Sequence, residues 1–171
     1  GSGIRSGASG FQSLKAGDSK IIIAGGQENM SLAPHAVFLR EGKKLGDLEM
    51  TDTMIKDGLW DAFHGYHMGV TAENVATKFQ VTRNDQDKFA LASQEKAYKA
   101  IKEKKFNEEI VNVKIDSKKK SINFDQDEHP REGVNLDTLS RLKPVFKKDG
   151  TVTAGNASGI NDGAAAVTLM T

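Results

Sequence analysis

The run AGNASGINDGAAA, Ala154 to Ala166, constrains this chain most: eleven of its thirteen residues are Gly, Ala, Ser or Asn. Residues this small sit where backbone must come close to something else. Gly adopts positive φ freely, and Asn tolerates left-handed geometry while hydrogen-bonding its own turn. Ala165 to Met170 then reads as a short buried strand. A tight polar turn feeding a core strand can hold a ligand, and the same composition suits a Gly-rich connector packed under helices.

The other end of the chain is similar in character. GSGIRSGASGFQSLKAG spaces Gly, Ser and Ala closely around Ile4, Phe11 and Leu14, the kind of face that lets a helix lie tightly on a sheet or another helix. The sequence predicts a helix to about Ala16, a turn at Gly17 and Asp18, and a central-type strand over Lys20 to Ala24 that ends in Gly25 and Gly26. This is an αβ unit of a layered α/β fold. Met30 to about Ile160 is more charged and richer in loops, as an excursion above such a fold would be.

Within the excursion, Met68 to Phe79 puts Ala72, Val75, Ala76 and Phe79 on one helical face. Thr82 with Asp85 reads as a capping-box start for a helix reaching about Lys104, with an apolar stripe of Phe89, Ala90, Ala97, Ala100 and Ile101. Ile110 to Ile115 alternates like a half-buried strand, Lys118 to Lys120 looks like a turn, and Ser121 to Phe124 can pair back as a hairpin. Leu136, Leu139 and Leu142 mark a short helix that Pro144 stops.

Bulk properties exclude several classes. Lys and Arg number 24 against 23 Asp and Glu, so no global charge points to nucleic acid or an anionic membrane. The lysines around Lys102 to Lys105 and Lys118 to Lys120 have no alternating aromatics and read as solvated faces. Apolar content of 37% fits a soluble globular chain, no apolar run approaches the ~18 residues of a membrane span, and the start lacks signal-peptide regions. The expected compartment is therefore cytoplasmic. Cysteine is absent, which removes disulfides, thiolate metal sites and any cysteine nucleophile within these residues.

Few residues carry chemistry on their own. His64 and His67 are spaced to share a helical face, but no third ligand has suitable spacing and Gly65 and Tyr66 argue for a loop, so hydrogen-bonded or solvated histidines are expected and no metal. His67, Met68 and Gly69 together suit the wall of a pocket for a flexible apolar ligand, although a Met at a helix start is also ordinary core. Arg131, in the loop DEHPREGVN, suits forked hydrogen bonds to phosphate or a solvated surface position near Asp127 and Glu128. No Walker loop or dinucleotide fingerprint is present.

Five segments, in order, carry a wider resemblance: GSGIRSG, IIIAGGQENMS (Ile21 to Ser31), DTMIKDGL (Asp52 to Leu59), YHMGVTAENVA (Tyr66 to Ala76) and SRLKPVFKKDGTVTAGNASGINDGAAA (Ser140 to Ala166). With these the chain resembles the thiolases, and within them the acetyl-CoA C-acetyltransferases. The resemblance implies a thiolase-like layered α/β fold, here a partial N-terminal half, with an inserted α+β loop domain. Residues 1–29 and 161–171 would belong to the half and residues 30–160 to the insertion.

It also implies an acyltransferase that joins two acetyl-CoA molecules reversibly, releasing acetoacetyl-CoA and CoA through an acyl-cysteine. In that family the nucleophile occupies a Cys-Gly-Ser-Gly segment, so the cysteine is expected just before Gly1, and no catalytic residue is expected within the chain. Gly1, Ser2 and Gly3 would begin the helix that activates it. A second half supplying a histidine base and second cysteine is expected after Thr171, and these residues alone are expected to be inactive.

The retained part is the coenzyme A-binding one. By resemblance, Arg131 would meet the adenosine end, Thr138 would lie near the adenine, and Ser158 would hydrogen-bond the pantetheine. Leu59, His67, Met68 and Ala154 would line the channel, with Met68 against the acyl and thioester end. Coenzyme A thioesters are then substrates, no separate cofactor is expected, and a homo-oligomer is, with the Pro34 to Asp47 region pairing dimers into tetramers. A non-catalytic CoA-binding or oligomerisation module and a 3-ketoacyl-CoA thiolase of other chain length remain as alternatives.

Overall fold

The structure, a computed structural model, describes residues 1–116 and 120–171. The turn expected at Lys118 to Lys120 therefore lies largely outside the described residues. Regular elements follow the order α1 (Ser2–Ala16), β1 (Ile21–Asn29), α2 (Met68–Phe79), α3 (Arg83–Lys102), β2 (Val113–Asp116), β3 (Ser121–Phe124), α4 (Leu136–Ser140) and β4 (Asp162–Met170), with a π-helical turn at Met54–Leu59. The chain divides into two compact units: Gly1–Trp60 with Ile160–Thr171, and Asp61–Gly159.

In the first unit β1 and β4 form an antiparallel ribbon in register from Ile21 opposite Met170 to Asn29 opposite Asp162. Helix α1 lies on one face of it, and glycine sets the approach. A Cβ on Gly26 would stand 3.0 Å from the Gly3 Cα, and one on Gly10 would stand 3.0 Å from Leu169 and 3.2 Å from Ile22. The helix ends where expected, at Gly17 with φ of 81°, whose N–H donates to the Leu14 carbonyl. Gly25 and Gly26 do not end the strand as the sequence suggests. They pair rung for rung with Ala166 and Ala165, and β1 continues to Asn29. A Cβ on Gly25 would meet the Ala165 carbonyl at 2.6 Å, so glycine here permits strand contact instead of breaking it. The face of the ribbon away from α1 shows Ile21 and Ile23 at 66% and 76% exposure.

The second unit is built on α2 and α3. Thr82 and Asp85 form the expected reciprocal capping box, which satisfies orphan N–H groups at the α3 start. That helix stops at Lys102, and Lys104 takes a left-handed φ of 56°. β2 and β3 pair as a hairpin with Val113 opposite Phe124 and Ile115 opposite Ile122; the strand starts at Val113, not Ile110. Helix α4 is shorter than the leucine spacing suggests, and Leu142 lies in the turn after it.

Two expected faces are only partly realised: Ala76 on α2 is buried and Ala90, Ala97 and Ala100 on α3 are half-buried, but their larger members are not. On α2 the buried residues are Gly69, Glu73 and Ala76, while Val75 and Phe79 are exposed, Phe79 at 65%. On α3 the buried residue is Asp87, and Phe89 is 78% exposed. In both helices a carboxylate takes the inward position because backbone or side-chain donors from a distant loop meet it there.

Candidate functional site

The second unit gathers His67, Met68, Ala154, Ser158, Arg131 and Thr138 on three local frames; Leu59 closes the π-helical turn of the first unit. The first frame is the start of α2. His67 is its N-cap, in extended conformation, and its Nδ1 accepts the Gly69 N–H at 2.9 Å. An N–H can only donate, so the neutral ring carries its proton on Nε2. The imidazole stacks on Phe146, with centroids 4.7 Å apart and planes inclined by 22°. Gly69 is what admits that ring, since a Cβ at this position would fall inside the phenyl contact. Met68 follows at the first turn, 38% exposed.

His64 is held separately: its Nδ1 stands 2.8 Å from Asp61 Oδ2, and its ring stacks on Tyr66. That bond to His64 is the main reason the Asp61 carboxyl lies below its ordinary value. Among the described residues no three side chains are grouped as metal ligands, and no helix is long and apolar enough to cross a membrane.

The second frame is the segment from Val145 to Ser158. Val145 donates its N–H to the Val152 carbonyl at 3.0 Å, and Gly150 closes a turn onto Lys147. The carboxylate of Glu73, a residue 3% exposed, accepts from this segment: Thr151 N–H at 2.8 and 3.0 Å, Val152 N–H at 2.8 Å and the Thr151 hydroxyl at 3.0 Å. Burial by itself would raise this carboxyl. The Val152 and Thr151 N–H groups, the Thr151 hydroxyl and the Lys147 charge outweigh it and hold Glu73 below its ordinary value.

Beyond Val152 the loop is stapled to itself and to α3. Asn156 accepts the Thr153 N–H and donates to the Thr151 carbonyl and to Asp87 Oδ1. Asp87 Oδ2 accepts from Arg83 Nε at 2.8 Å, and Arg83 Nη2 donates to the Leu139 and Leu142 carbonyls around the end of α4. Gly155 is packed hard: a Cβ there would stand 2.6 Å from the side chains of Leu139 and Leu142. The first glycine of AGNASG is thus a packing requirement, as the connector reading of that run expects. Ala154 and Ser158 on either side are exposed.

The third frame carries Arg131. Its backbone N–H donates to Gln94 on α3 at 2.9 Å, and one turn further along α3 Tyr98 bonds the carboxylate of Glu132. The same bond raises the Tyr98 phenol, because it stabilises the neutral form. The Arg131 side chain is exposed, and no ion pair engages it among the described residues. Thr138 is otherwise occupied. Its hydroxyl donates to the Asn135 carbonyl at 2.8 Å and accepts the Asn135 N–H, closing the α4 capping box.

Phe146, Glu73, Asn156, Asp87, Gln94 and Tyr98 were not singled out by sequence reasoning. Glu73 offers one usable signal, its spacing of four and three residues from the small residues Gly69 and Ala76. The others look like ordinary helix or loop residues.

The thiolase N-terminal domain family matches residues 1–171. An acetyl-CoA acetyltransferase of Rhizobium meliloti (strain 1021) is 60% identical over 171 residues, covering 100% of this chain and 44% of that protein. A cytosolic acetyl-CoA acetyltransferase of Rattus norvegicus is 54% identical over 172 residues, covering 99% of this chain and 43% of its own length. The crystal structure of human mitochondrial 3-ketoacyl-CoA thiolase superposes with a TM-score of 0.89 at 42% identity, over 98% of this chain and 43% of that one. The chain thus spans less than half the length of the relatives it matches. Its α/β architecture is that of the thiolases, and the chain belongs to the thiolase family.

Proposed function

We propose that these residues form the coenzyme A-binding portion of an acyltransferase that condenses two acetyl-CoA molecules to acetoacetyl-CoA and CoA, and runs the reverse thiolysis. The observation that carries this reading is the 60% identity to an acetyl-CoA acetyltransferase over the whole chain. The geometry is compatible with it: a rigid aromatic and thioether wall at the α2 start, an anchored loop with an exposed hydroxyl at Ser158, and an exposed guanidinium at Arg131. In this reading residues 30–160 act as the inserted loop domain.

Each residue then has a task that suits its chemistry. Arg131 meets the anionic adenosine end of the substrate through charge-assisted bonds. Ser158 bonds the pantetheine amides, and His67, Met68 and Ala154 exclude water along the arm. Thr138 acts near the adenine through its methyl group, its hydroxyl donor being committed to Asn135. The nucleophile is a cysteine thiolate from outside these residues. It attacks the thioester carbonyl, expels CoA and holds the acetyl group while a base takes an α-proton from the second acetyl-CoA. Hydrogen-bond donors stabilise the tetrahedral oxyanion and the enolate. Coenzyme A thioesters are substrates, and no further cofactor is invoked.

Thiolysis of acetoacetyl-CoA by the full-length protein, followed by loss of its enolate absorbance, tests the reading, and absence of turnover there sinks it. The similarity to a 3-ketoacyl-CoA thiolase keeps a second reading, longer acyl chains. Comparing kcat/KM for acetoacetyl-CoA with that for a medium-chain 3-ketoacyl-CoA separates the two. We further propose a cytoplasmic homo-oligomer, following the name of the rat relative for the compartment. Fractionation and sedimentation test these two points.

A further inference from the structure

We propose that Glu73 is the positioning residue of the loop that carries Ala154 and Ser158, acting through the backbone of Thr151 and Val152. The inference rests on the coenzyme A-binding reading above. A glutamate 3% exposed is unusual, and among the described residues all hydrogen bonds of its carboxylate run to two consecutive residues, Thr151 and Val152. It clamps one point of one loop.

Two relationships make that point matter. Glu73 lies six residues along α2 from His67, about 9 Å of helix rise, so one rigid element fixes both the His67–Phe146 wall and the loop. From Thr151 onward the loop is closed on itself. The Thr153 carbonyl accepts the Ala157 N–H at 3.0 Å and the Asn156 N–H at 3.3 Å, and Asn156 bridges the Thr151 carbonyl and the Thr153 N–H. Ser158 follows this clip directly, exposed, its hydroxyl in no hydrogen bond among the described residues. Displacing Thr151 therefore displaces the Ser158 hydroxyl relative to the wall. Gly150 adds to the constraint, because a Cβ there would run into the Glu73 carboxylate.

The test uses the full-length protein and Glu73→Gln, which keeps the size but turns an NH₂ group toward peptide N–H donors. Binding of CoA and of pantetheine is measured by calorimetry well below the unfolding temperature. Glu73→Gln is expected to weaken both ligands by about five- to thirtyfold, raising KM while kcat holds. Arg131→Ala is expected to weaken CoA alone. A double-mutant cycle supplies the readout that a merely structural role would not move: Glu73→Gln adds little to Ser158→Ala and adds fully to Arg131→Ala.

Wild-type affinity in Glu73→Gln, or full additivity with Ser158→Ala, overturns the proposal and leaves the coenzyme A reading standing. Wild-type protein that binds no CoA overturns both. If Glu73→Gln does not fold, Thr151→Val is carried through the same cycle. It removes the hydroxyl bond to Glu73 and the Gln86 contact but keeps both peptide bonds, and about a two- to fivefold loss is expected. No loss in Thr151→Val counts against the proposal.

Discussion

Phe146 stacks on His67 at a centroid distance of 4.7 Å across a glycine, Gly69, that leaves no room for a methyl group. A ring stacked on an imidazole and packed against the Gly69 backbone cannot step aside cheaply. Gly69→Ala should therefore destabilise the protein by about 1–3 kcal/mol through overpacking, although alanine is the better helix former. Urea unfolding reads the change, and an unchanged midpoint would contradict the packing described.

The Arg83–Asp87–Asn156 chain makes a second prediction. Asp87 is 3% exposed and accepts from both partners. Asp87→Ala leaves the Arg83 guanidinium partly buried without its counter-charge and frees Asn156, so unfolding free energy should fall by about 3 kcal/mol. Asp87→Asn, which retains an acceptor, should fall by less. Equal losses in the two variants would show that the acceptor is not what matters.

Acid sensitivity should trace to Glu73. Its carboxyl lies below the ordinary 4.5 in the folded chain, so the unfolded state binds the proton more readily. The associated stability is fully present above about pH 4.5 and is lost as pH falls through the lower folded-state value. Urea midpoints measured on descending pH should drop more steeply for the wild type than for Glu73→Gln, which cannot titrate. Parallel acid limbs would refute the assignment.

Arg131 should behave in the opposite manner, important for ligand and indifferent for folding. Among the described residues only its backbone N–H is engaged, to Gln94. Arg131→Ala is expected to leave the unfolding temperature unchanged and to weaken CoA by about 1–3 kcal/mol in titration calorimetry on the full-length protein. Unaltered affinity would remove Arg131 from the site.

Local signals located the elements well. The bounds of α2, the Thr82–Asp85 cap and the Ser121 to Phe124 strand follow from periodicity and capping chemistry, which act within a turn or two of the chain. What failed depends on partners far away in sequence. Periodicity placed Ala72, Val75, Ala76 and Phe79 on one face of α2; Ala76 is buried, yet Val75 and Phe79 are exposed and Glu73 turns inward because Val152, 79 residues on, needs an acceptor. Gly25 and Gly26 looked like a strand end because their pairing with Ala165 and Ala166 is invisible locally. The thiolase resemblance named Arg131, Ser158, His67 and Met68, but it could not show that Phe146 stacks on His67, that Gln94 holds the Arg131 backbone, or that Glu73 and Asn156 tie down Thr151 to Thr153.

Asn29 faces Asp162 across the last rung of the β1–β4 ribbon, and Asp162 also accepts the Ser31 N–H at 2.9 Å just beyond it. All of the intervening chain leaves and re-enters through that single doorway. Its length and content can change without shifting the strand register or the seat of α1 on the ribbon. Because both ends of the excursion meet at one rung, this junction is the natural place to graft one relative's excursion onto another's scaffold.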